Sequence, residues 1–132
     1  MGLFNKLFGE SDNKDTSSSR INWNALTSLQ QLDDIIQESA EMPVIIFKHS
    51  TRCGISRMAL SGFEKEYAID AESAKPYFLD LLQHRDISNE IATIFHVEHQ
   101  SPQVLLLKDG VVVYHASHGD IDAGKVKGEV LK

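Results

Sequence analysis

The stretch that most restricts the fold is residues 103–116, QVLLLKDGVVVYHA, in which two apolar runs are joined by Asp109 and Gly110. That pair suits a two-residue hairpin, because both central positions of the favoured turn take positive φ. Two antiparallel strands must therefore lie near the end of the chain. Upstream, the periodicity alternates. INWNAL, residues 21–26, reads as a short first strand, followed by Thr27 or Ser28 as an N-cap with Gln30 or Gln31 three residues on. Leu29, Leu32, Ile35 and Ile36 mark one face of a helix that stops before Pro43. VIIFK, residues 44–48, has the β-branched, continuously apolar character of a strand covered on both faces. Ile55, Met58, Ala59, Gly62 and Phe63 return to helical spacing, PYFLDLL at 76–82 is the next strand, and Ile87, Ile91, Ile94 and Phe95 form a helix capped by Asp86 or Ser88. A weak last helix carries Val126, Val130 and Leu131 on one side. The order β, α, β, α, β, α, β, β, α implies parallel, right-handed crossovers closed by an antiparallel hairpin: an α/β sandwich with a mixed sheet.

The 132 residues, 42% of them hydrophobic, suffice for one ordinary core, assigned to residues 21–132. Residues 1–20 read as a flexible tail. Leu3, Phe4, Leu7 and Phe8 could line a short helix that touches a membrane or a partner, but the stretch is too short to span a bilayer. Lys6 stands where a myristoylation signal wants Ser or Thr, and residues 10–20 are a polar, Ser-rich linker. A net charge of −6 without a basic face argues against nucleic acid as a partner.

The chain has one cysteine, Cys53, so no disulfide can close within it. With no secretory signal in view, a reducing compartment, the cytoplasm, is expected. Cys53 falls between a buried strand and a helix, where free backbone N–H groups and the positive end of the helix dipole favour thiolate over thiol. Lys48, His49, Arg52 and Arg57 add positive charge nearby. Such surroundings make a cysteine nucleophilic at neutral pH.

CGIS, residues 53–56, keeps the frame of the Cys-x-x-Cys redox motif but has Ser56 where the resolving cysteine would stand. A dithiol protein releases a trapped partner by closing its own disulfide, whereas a Cys-x-x-Ser protein waits for an outside thiol. Ser56 is a candidate hydrogen-bond donor to the Cys53 thiolate. His96 with His99, and His115 with His118, have H-x-x-H spacing, yet no further ligands complete a zinc set, and no metal site is assigned. His118 could still lie near the thiol.

The β-α-β-α frame, CGIS and QSPQVLLLKDGVVV resemble the thioredoxin superfamily, and FKHSTRCGIS with SPQ and HASHGDI more narrowly resembles the monothiol bacilliredoxins, also called YtxJ-like. The resemblance covers about residues 21–131. It implies a thioredoxin-like three-layer α/β/α sandwich and a monothiol disulfide exchange in which Cys53 removes bacillithiol from protein mixed disulfides. It further implies no bound cofactor, bacillithiol as the low-molecular-weight thiol co-substrate, bacillithiolated proteins as partners, and a monomer. Cys53, Ile55 and Ser56 match the family motif Thr-Cys-Pro-Ile-Ser. Arg52 and Gly54 depart from it, which alters the tuning around the thiol more than the chemistry. The resemblance also implies a cis Ser101–Pro102 bond beside the cysteine, with Ser101 offering backbone hydrogen bonds to substrate. CGIS is similar as well to the CGFS motif of monothiol glutaredoxins that bind an iron–sulfur cluster with glutathione. The alternatives are thus a cluster-binding module or an inactive interaction domain on the same fold.

Overall fold

The computed structural model describes residues 21–132; the tail expected at 1–20 lies outside them. In chain order the elements are β1 (Asn24–Ala25), α1 (Gln30–Glu38), β2 (Val44–His49), α2 (Gly54–Glu66), β3 (Lys75–Asp80), α3 (Arg85–Phe95), β4 (Gln103–Lys108), β5 (Val111–Ser117), a 3₁₀ turn (His118–Asp120) and α4 (Ala123–Val130). The sheet order is β1-β3-β2-β4-β5, with β1, β3 and β2 parallel and β4 antiparallel to both β2 and β5. This is the expected α/β topology with its mixed sheet.

Alternation along the central strands builds two cores. Ile45, Phe47, Val104 and Leu106 face α2 and α4, meeting Phe63, Val126 and Val130, whereas Val44, Ile46, Leu105 and Leu107 face α1 and α3, meeting Leu32, Ile35, Ile87 and Ile91. Three layers result. Trp23, from the segment leading into β1, packs against Phe47, Phe63 and Phe78, and its indole N–H donates to Glu64 Oε2 at 2.7 Å.

Boundaries moved where side chains found other partners. The first strand shrinks from the expected 21–26 to two residues, and β3 ends at Asp80 rather than at 82. Neither Thr27 nor Ser28 caps α1; instead Gln31 Oε1 reaches back to accept from their backbone N–H groups at 2.7 and 2.9 Å. α3 begins at Arg85 without a side-chain cap. Asp86 sits in its first turn, and Ser88 is buried with its hydroxyl 3.2 Å from His99 Nδ1. The hairpin is as expected, with Lys108 opposite Val111 and positive φ at Asp109 and Gly110. Its tip docks on the end of α1, where Ser39 O accepts from Asp109 N and Ser39 Oγ from Gly110 N, both at 2.8 Å.

Candidate active site

Strand directions bring the sequence-predicted residues to one edge of the sheet. β2 ends at His49 beside Asp80, the end of β3, and Lys48 pairs with Gln103, the start of β4, which in turn pairs with Ser117, the end of β5. The loops holding Cys53, Ser101–Pro102 and His118 therefore leave the sheet at the same end.

Cys53 is the N-cap of α2, with extended backbone (φ −99°, ψ 121°) and a side chain that makes no capping bond. Its N–H donates to Ser50 O at 3.1 Å and its carbonyl accepts from Arg57 N at 3.0 Å, so the turn before the helix and the first turn within it both hold the backbone. The half-buried thiol sits at the helix end where the opening N–H groups lack intrahelical acceptors. Arg52 and Arg57 are exposed on either side of it, and Arg57 Nη1 also reaches Thr51 O at 3.4 Å.

The other two expected cations play a different part. Lys48 and His49 are both buried, on opposite faces of the sheet. Burial pushes the His49 pKa down, with the charge of Asp80 opposing and that of Arg57 assisting, which favours the neutral imidazole. Burial also pushes Lys48 down to about 8. Of the four basic residues near Cys53 in sequence, only Arg52 and Arg57 are thus exposed, beside the open end of α2.

Ser56 is fully enclosed, and its hydroxyl is committed elsewhere than to Cys53. Its Oγ accepts from Ser50 N at 3.0 Å and lies 2.8 Å from His49 Nδ1. Ser56 supports the thiol indirectly: it fixes the loop 50–53 against the end of β2. This His49–Ser56 link was not anticipated from the spacing, because a bond between a strand end and the inner face of a helix depends on how the two pack.

Ser101–Pro102 is cis, as the resemblance implied, and Pro102 is buried. Pro102 O accepts from His118 N at 3.1 Å, which ties this turn to the 3₁₀ turn. His118 is exposed and, with Ile55, Met58, Phe63 and Gly119, lines a groove of about 460 Å³ between α2 and the 3₁₀ turn. Ile55 and Met58 are 64% and 76% exposed, an apolar shelf on the first turns of α2, the helix that Cys53 opens. Gly54, also exposed, has no atom within 4 Å of where a Cβ would stand. Among the described residues no three His, Cys, Asp or Glu side chains converge as metal ligands, and no helix is long and apolar enough to cross a membrane.

The family model described as "Monothiol bacilliredoxin BrxC" matches residues 24–126. Among solved structures, the chain is similar to a candidate oxidoreductase with a thioredoxin fold, at 31% identity and a TM-score of 0.69 over 82% of this chain and 92% of that one. The thioredoxin of Malassezia sympodialis, at 19% identity and TM-score 0.65, covers 86% of this chain and 91% of its own. The thioredoxin NaTrxh of Nicotiana alata, at 18% and 0.65, covers 92% and 96%. These two share the fold. A lone cysteine opening α2, on a sheet of this order and under a family match that spans most of the chain, makes this protein a member of the monothiol bacilliredoxin family, thiol-redox proteins on the thioredoxin fold.

Proposed function

We propose that the protein removes bacillithiol from protein mixed disulfides in the cytoplasm, with Cys53 as nucleophile. The observation that carries this reading is that the thiol stands at the start of α2 in a chain with no second cysteine to resolve a trapped partner. The Cys53 thiolate attacks the bacillithiol sulfur. An S–S bond forms between Cys53 and bacillithiol, the protein-to-bacillithiol bond breaks, and the electron pair leaves with the substrate thiolate, which then takes up a proton. A second low-molecular-weight thiolate, acting as reductant, then attacks the bacillithiol sulfur: a disulfide forms between the two small thiols, the bond to Cys53 breaks, and the electron pair leaves with the Cys53 thiolate. The Ser101–Pro102 turn receives the extended chain of the substrate, and the shelf of Ile55 and Met58 receives its apolar side chains. Family membership supports bacillithiol as the small thiol.

The test is the intact mass of the protein after brief exposure to a reporter protein carrying a bacillithiol or, separately, a glutathione mixed disulfide. The expected result is one bacillithiol adduct, far less glutathione adduct, and neither on the Cys53→Ser variant. No adduct from either reporter, with Cys53 open to a small alkylating agent, would overturn the reading. So would full exchange activity in Cys53→Ser.

A further inference from the structure

Among the described residues, three buried side-chain polar atoms make no hydrogen bond: Lys48 Nζ, Ser101 Oγ and Gln103 Oε1. Two of them sit opposite each other on paired strands, and the third opens the second of those strands. Lys48 and Gln103 are Cα partners across β2 and β4, are 0% and 1% exposed, and by alternation face the α1 and α3 side of the sheet. Ser101 stands two residues before Gln103, in the turn that opens β4. The Gln103 amide is oriented, because its Nε2 donates to Glu98 O at 3.1 Å and leaves Oε1 as the open acceptor.

Among the described residues no carboxylate counters the burial of Lys48, and its charge is felt by His99 from the loop before Ser101, whose Nδ1 lies 3.2 Å from Ser88 Oγ. A buried ammonium without acceptors is among the costliest arrangements a core can hold. The three atoms have complementary roles, since the ammonium donates, the amide oxygen accepts and the hydroxyl does both. Yet none reaches another within hydrogen-bond distance. Buried waters typically make about three hydrogen bonds to groups of this kind.

We propose that one bound water molecule joins Lys48 Nζ, Ser101 Oγ and Gln103 Oε1, and that through it Lys48 is a positioning residue for the Ser101–Pro102 turn. The water accepts from the ammonium and donates to the amide oxygen and the serine hydroxyl. The turn is then held from two sides, by the water on the β2 side and by His118 N on Pro102 O. Its consequence for catalysis rests on the exchange reading above: a turn held this way presents a fixed backbone edge to a substrate protein but does not alter the thiol itself.

The test combines a high-resolution crystal structure of the wild type with the Lys48→Met and Ser101→Ala variants. Density for a water within hydrogen-bond distance of all three atoms is expected. In either variant the His118 amide should exchange with solvent about five- to tenfold faster, as befits the loss of one hydrogen bond in a local opening, while the Leu105 amide in β4 keeps its rate. The double variant should add little to either single one. KM for a protein mixed disulfide should rise, and the rate of Cys53 alkylation by a small reagent should stay unchanged. Absence of the water, unchanged His118 exchange, or a parallel loss of alkylation would overturn the proposal. Because the density and the amide rates do not depend on the reaction, failure of the wild type to exchange bacillithiol would count against the function alone. Should Lys48→Met fail to fold, Ser101→Ala interrupts the same water from the other end.

Discussion

Replacing Lys48 with methionine separates the charge of this side chain from its volume. The lysine is fully enclosed and burial alone moves its pKa from 10.5 to about 8. Because the folded pKa is depressed, the unfolded chain binds more protons than the folded one between about pH 8 and pH 10.5, and stability rises with pH in that window. Below it both states carry the charge, and the folded state bears the full desolvation cost, on the order of 3 kcal/mol for a shift of this size. Relative to pH 7, linkage returns on the order of 1 kcal/mol by pH 9 and on the order of 2–3 kcal/mol by pH 10. K48M has no such titration. Urea unfolding of both proteins, followed by Trp23 fluorescence at about pH 7, 8, 9 and 10, should show the wild-type stability gaining on the order of 2–3 kcal/mol on the variant. Tyr67, which burial pushes up to about 12, and Tyr77 and Tyr114, also raised, act in both proteins and cancel in the difference. A wild-type minus variant difference that stays flat within about 0.5 kcal/mol would refute the reasoning, since folding would then leave the proton affinity of Lys48 unchanged.

Other expectations follow from local geometry. Ser56→Ala strips an enclosed acceptor from Ser50 N and a partner from His49 Nδ1, and should cost about 1–3 kcal/mol in urea unfolding. Gly54→Pro should stabilise by about 0.4–1 kcal/mol in the same assay. Gly54 is the first helical residue, where an N–H has no intrahelical acceptor, and the extended backbone of Cys53 already suits a following proline. A destabilised variant would show that the N–H of Gly54 has a role of its own. Gly110→Ala should cost about 1–2 kcal/mol, because φ is 80° there, although Ile36 Cγ2 at 3.5 Å leaves ordinary room for the Cβ.

Much of this molecule was written in short-range pattern. The Asp109–Gly110 pair demands positive φ at two successive positions, and the chain delivers it. The run Val44 to Lys48 has no polar alternation, and the strand it forms is buried on both faces. Lys48 closes that run and is buried with it, although its nearness to Cys53 in sequence suggests a surface charge. Cys53 at a helix start was legible for the same reason: a strand period gives way to a helical one between His49 and Gly54.

Partner choice was not legible in this way. Whether the Ser56 hydroxyl turns to the thiol or to His49, whether Ser88 caps a helix or meets His99, and whether Lys48 finds a carboxylate or none depends on which side chains from distant elements arrive within about 3 Å. Sequence order by itself determined the strands, helices, hairpin and the one residue able to act as a thiol nucleophile, because backbone propensity and periodicity act over a few neighbours. Only the folded sheet, which carries β2, β3 and β5 to their ends and β4 to its beginning at one edge, decided that the loops holding Cys53, the Ser101–Pro102 turn and His118 leave at the same end and that Lys48 lies buried in the strand before the cysteine.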